Sequence, residues 1–188
     1  MTRRIKDMEN GFHLIDMKKW PRAQTYHFFT EVVMPQSYSV NVTLDVTILR
    51  KTLKSKSIKF FPACLYLFSK AIERQQELRL ALKNGRLGYW DFLNPQYPVF
   101  HEDDKTITFL WTRYNQDFKT FYSQYLKDTT QYGNDHSIIS SKGEPPQNSY
   151  IIACVPWFTF NSFSMHIDTE KYYSPLIETG DSLNQMVW

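Results

Sequence analysis

The chain has 188 residues, a formal net charge of +3 and a pI near 8.7. That length can bury a sizeable core as one domain, and so mild a basic balance does not by itself imply nucleic acid or an anionic membrane. No apolar run approaches membrane-spanning length, and the opening MTRRIKDMEN lacks an apolar signal core. The expectation is a soluble, cytoplasmic protein. Its two cysteines, Cys64 and Cys154, suit small buried thiols in a reducing compartment better than a disulfide framework or a metal site. Aromatic residues make up 16%, enough to serve a core, an oligomer interface or an apolar ligand site.

In chain order, residues 1–10 read as a polar lead-in and Gly11–Asp16 as a short strand. Pro21 opens a helical stripe over Arg22–Val33, with Tyr26, Phe29 and Val33 at spacings of three and four, and Pro35 ends it. Tyr38–Val46 alternates as a strand, with Val40, Val42, Leu44 and Val46 on one face. Thr47 is placed as the cap of a helix carrying Arg50, Lys51, Lys54, Lys56 and Lys59, a run that suits either a phosphate-bearing ligand or a solvated face. Phe61–Gln76 is the most regular helix, with Pro62 in its first turn.

Leu78–Trp90 reads as a hairpin about Asn84-Gly85, the pair that a type I′ turn needs. Pro95–His101 and Thr106–Leu110 are paired short strands, and Trp111–Lys127 is a second helix. Tyr132–Asn148 is loop. Tyr150–Ile167 then forms the central aromatic strand, interrupted at Pro156, which suits a core or a pocket wall. Tyr172–Ile177 is extended. Leu183–Trp188 has no partner after it. The interleaving without a regular β-α-β rhythm predicts an α+β fold, a single domain over 1–188 with helices layered on a mixed β-sheet. No Gly-rich phosphate loop, metal-spaced His/Cys cluster or nucleophile elbow appears.

The ordered words Trp20-x-Arg22, NVTLDV at Asn41–Val46, Lys59-Phe60-Phe61-Pro62-Ala63, the Arg79–Trp90 hairpin, Tyr97-x-Val99-Phe100-His101-Glu102, Tyr132-Gly133, Pro156-Trp157-x-x-Phe160-x-Ser162-Phe163 and Tyr173-x-Pro175 resemble the chloramphenicol acetyltransferases of the trimeric type. The resemblance covers about Gly11 to Gly180. It implies a two-layer α+β sandwich, a homotrimer with sites between subunits, and transfer of an acetyl group from acetyl-CoA to a hydroxyl of chloramphenicol, with no metal. In that family a histidine takes the hydroxyl proton and a serine supports the oxyanion. The apolar drug pocket is implied at Phe29, Val33, Tyr38, Phe100, Phe163, Met165 and Ile167, and the CoA channel at Trp157 and Lys59. Arg22 is implied as the partner of a motif aspartate.

Departures accompany the match. The five histidines are His13, His27, His101, His136 and His166, and none lies in the family's His-His-x-x-x-Asp-Gly segment. The expectation is therefore a chain incomplete at its C-terminus, without the strand and helix that segment belongs to. The oxyanion serine falls at Ala153, and a threonine of the family falls at Glu178. His101 is expected to hold structure through a hydrogen bond rather than to act as a base. His166 alternates away from Met165 and Ile167. These departures imply an inactive or weakly active acetyltransferase, or a non-catalytic relative that binds ligand or oligomerises.

Overall fold

A computed structural model describes residues 11–33, 37–155, 162, 165, 168, 172–182 and 185–187. The strands are β1 (Phe12–Leu14), β2 (Thr43–Asp45), β3 (Leu80–Lys83), β4 (Arg86–Trp90), β5 (Asn94–Phe100), β6 (Ile107–Trp111), β7 (Ser149–Val155), β8 (Leu176–Ser182) and β9 (Gln185–Val187). The helices are α1 (Ala23–His27), α2 (Thr47–Ser55), α3 (Phe60–Glu73) and α4 (Phe118–Tyr132). Six strands form a mixed sheet in the order β2-β9-β8-β7-β5-β6, and three form a smaller one, β1-β4-β3. This is the α+β layering expected of the sequence.

The core lies between the larger sheet and helices α3 and α4. Helix α3 begins after Lys59, whose extended backbone (φ −65°, ψ 138°) precedes Pro62 in the first turn, where a missing N–H costs nothing. Its buried side carries Leu65, Phe68 and Ile72. Phe61 meets the Tyr97 ring edge-on at 5.7 Å, and Tyr97 in turn lies 5.5 Å from Tyr125 of α4. Ser69 and Tyr150 join helix to sheet through their hydroxyls at 3.0 Å. Fully buried aromatic and aliphatic side chains such as Phe121, Leu65 and Ile152 each contribute on the order of 1.5–3 kcal/mol.

The hairpin turn is as the sequence predicts: Asn84 and Gly85 take φ of 54° and 70°. Several boundaries differ. The helix expected over Trp111–Lys127 begins at Phe118, because Trp111 is held in β6 opposite Gln96 and the Asp117 side chain accepts the Thr120 N–H at 2.8 Å. Trp111 and Tyr114 thus extend the apolar spacing without extending the helix. Thr47 is the first residue of α2 rather than its cap, and Asp45 accepts the Thr47 N–H at 2.9 Å.

The stripe over Arg22–Val33 divides into α1 and a wider π-helical turn, Phe28–Val33. Among the described residues, the strand expected over Tyr38–Val46 is paired at Thr43–Asp45, where β9 lies beside it. Gln185–Val187 does find partners, antiparallel to both β8 and β2. The central strand ends at Val155 among the described residues, so the bulge expected at Pro156, the face of His166 and the rest of the stretch apart from Ser162 and Met165 lie outside them.

Candidate functional site

Strand pairing sorts the larger sheet into two faces, since residues opposite one another point the same way. Tyr97, Tyr150, Ile152 and Ile177 belong to the helix-covered core. The alternate residues form the other face: Gln96, Pro98 and Phe100 on β5, Ile151, Ala153 and Val155 on β7, and Leu176, Glu178 and Gly180 on β8. Parallel register sets Ala153 beside Glu178.

Glu178 is only 9% exposed, and its Oε1 has no hydrogen-bond partner among the described residues. Burial penalises its charged form and pushes the carboxyl above the ordinary glutamate range. Ala153 offers a methyl group, with no donor to place against a developing negative oxygen. Its carbonyl accepts from Thr179 Oγ1 at 3.2 Å.

Of the residues expected to form an apolar pocket, the described ones stand open on the single chain. Phe29 and Val33 on the π turn and Phe100 at the end of β5 are each about two-fifths exposed, Met165 is half exposed, and Tyr38 is 86% exposed. Among the described residues, none covers Tyr38. Phe163, Ile167 and Trp157 lie outside the described residues. Arg22 donates to Glu77 Oε1 at 2.9 Å, both side chains more than half exposed.

Lys59 lines a cleft of about 500 Å³ between α2 and α3, together with Arg50, Leu53, Lys54, Ser57, Ile58 and Phe60. Arg50 lies over the Phe60 ring at 4.5 Å, and the Lys59 backbone N–H is taken by the Tyr122 hydroxyl at 3.0 Å. One arginine and two lysines beside apolar lining residues suit a ligand with a charged phosphate end and an apolar or aromatic body.

The four described histidines are each tied to a partner. His13 meets Asp91 at 2.6 Å and His27 meets Glu31 at 2.7 Å. His101 is buried and bonded to Thr108 at 2.9 Å, the structural role its sequence position implied. His136 meets Asp104 at 2.6 Å and stacks on His101 with ring centres 4.0 Å apart. The sequence gives no sign of this last pairing, because the two histidines come from distant segments with no ligand spacing.

The fold is an α+β sheet layered by helices on one face, with Phe100 exposed on the other. A solved chloramphenicol acetyltransferase superposes on it with a TM-score of 0.78 at 20% identity, over 94% of this chain and 86% of that one. The family described as chloramphenicol acetyltransferase matches residues 10–186. A chloramphenicol acetyltransferase of Clostridium butyricum is 33% identical over 93% of this chain and 80% of its own length. One from Clostridium perfringens is 36% identical over 88% of this chain and 77% of its own. The chain belongs to the chloramphenicol acetyltransferase family.

Proposed function

We propose that the chain binds acetyl-CoA and an apolar alcohol such as chloramphenicol in clefts between the subunits of a cytoplasmic homotrimer, and that acyl transfer there is slow. The observation that carries this reading is the family match over residues 10–186. Phe29, Val33, Tyr38, Phe100, Phe163, Met165 and Ile167 wall the alcohol site, and the exposure of those that are described suits a cleft completed by a second subunit. Lys59 and Trp157 line the path of the CoA arm. The basic cleft about Lys59, Lys54 and Arg50 supports a phosphate end there. Arg22 steadies the site's edge.

The reaction joins the hydroxyl oxygen to the thioester carbonyl carbon, breaks the C–S bond and delivers the hydroxyl proton to the departing CoA sulfur, with negative charge gathering on the carbonyl oxygen in between. Ala153 supplies no donor to that oxygen, which forfeits about 2.7–4 kcal/mol of stabilisation. Glu178 beside it adds an anion when ionised and works against the same charge.

These two side chains favour the second reading, a relative that binds and assembles without turning over. Acetyl-CoA-dependent thiol release with chloramphenicol, measured beside calorimetric binding of each ligand, separates the two. Weak turnover that rises about 10²-fold in Ala153→Ser/Glu178→Thr supports the first. Binding of both ligands with no turnover in either protein establishes the second. Absence of binding by either ligand overturns both.

A further inference from the structure

The geometry points to a binding site for a divalent transition cation of the zinc type formed by His101, Asp103 and His136. One atom from each of these three residues lies within 4.8 Å of the other two. They come from two segments that are separately fastened. The turn from β5 to β6 is closed by the His101 N–H on the Thr106 carbonyl at 2.9 Å. The loop after α4 runs beside β6, through the Phe109 N–H on the Ile138 carbonyl at 2.8 Å and the Ser140 N–H on the Phe109 carbonyl at 3.2 Å.

The hydrogen bonds fix which ring nitrogens are left to ligate. Thr108 has one hydroxyl proton and donates it to the Asp135 carbonyl, so towards His101 it accepts. His101 Nε2 therefore carries the proton, and Nδ1 presents a lone pair. Asp104 can only accept as a carboxylate, so His136 Nδ1 donates to it at 2.6 Å and Nε2 is the remaining nitrogen. Asp103 Oδ2 lies 3.7 Å from that Nε2.

Each imidazole is thus oriented through its other nitrogen, His136 by a carboxylate that is itself held by the Thr106 N–H and hydroxyl at 3.0 and 2.6 Å. An imidazole backed by a carboxylate is the usual support for a metal-bound histidine.

Two imidazoles and one carboxylate make a three-ligand set with room for a fourth, the pattern of zinc and its neighbours; calcium and magnesium take oxygen ligands. Bonds of about 2.0–2.2 Å bring such ligand atoms to roughly 3.3–3.5 Å from one another. The stacked rings must fan apart for both lone pairs to reach one ion. Buried His101 stays, and exposed His136 turns.

Titration calorimetry of the tag-free chain with zinc chloride near neutral pH tests the site. One ion per chain is expected, with affinity falling at least tenfold in His136→Ala and in Asp103→Asn. Asp104→Asn, acting through ring orientation, is expected to lose about 10–100-fold. Calcium chloride is expected to give no binding. His136 and Asp103 are exposed, so circular dichroism of their variants should match the parent. No zinc binding, or zinc binding undiminished in both His136→Ala and Asp103→Asn, overturns the proposal.

Discussion

Glu178 lies in surroundings that its side chain does not prefer. It is buried beside a methyl group, and its carboxyl titrates above the ordinary range because burial disfavours the anion. In the unfolded chain the same carboxyl ionises near the usual glutamate value of about 4.3. Between that value and the higher folded one, the folded state keeps a proton that the unfolded state has lost. Stability therefore falls as pH rises through this window and levels off above it. Urea unfolding across mildly acid to neutral pH should record that loss, and Glu178→Gln should flatten it. An equal slope in the variant would assign the loss to another group.

Cys64 gives a second test at this scale. Burial first, and the nearby Cys154 second, push its thiol up to about 12, so almost none is thiolate at neutral pH. Thiol reagents should label half-buried Cys154 in the native protein and reach Cys64 only on unfolding.

Among the elements, what was legible in the sequence depended on whether the deciding contact is local. Asn84-Gly85 fixes its own turn, so the hairpin could be read directly. The start of α4 could not, because Trp111 and Tyr114 continue the helical spacing while strand pairing and the Asp117 cap set the true boundary. Helix α4 also carries a buried charge that no spacing reveals. Asp128 is 2% exposed and lies 2.7 Å from the Lys142 ammonium of the following loop, which also sits 4.0 Å over the Trp111 ring.

Burial lowers the Lys142 pKa, a sign that the pair is held out of water at a cost. Lys142→Met leaves Asp128 without its counter-charge and should cost about 3–5 kcal/mol in chemical denaturation. Asp128→Leu with Lys142→Met should recover most of it, since an apolar pair of similar volume avoids the desolvation penalty. If the double variant is no more stable than the single one, the pair is not what holds the loop to α4.

For the whole molecule, the distribution of exposed apolar surface bears on assembly. Phe28, Phe29, Val32, Val33, Tyr38, Val40, Val42 and Leu44 are all exposed, and they fall within one stretch of chain. Single exposed apolar residues are ordinary, whereas a contiguous exposed apolar patch marks an interaction surface. Phe100 and Ile107, opposite each other in register on β5 and β6, are also exposed on the helix-free face. The proposed alcohol pocket rests on family resemblance alone, because those of its residues that are described are each exposed.

The homotrimer proposed above would cover this surface, each site being completed by a neighbour. Light scattering on the purified protein should give three times the 22.5 kDa chain mass. Ile107→Arg lies outside the proposed pocket and should shift the population towards monomer with unchanged circular dichroism. If the site is intersubunit, that variant should lose chloramphenicol binding in proportion to the trimer it loses. A 22.5 kDa species that still binds the drug would place the whole pocket within one chain.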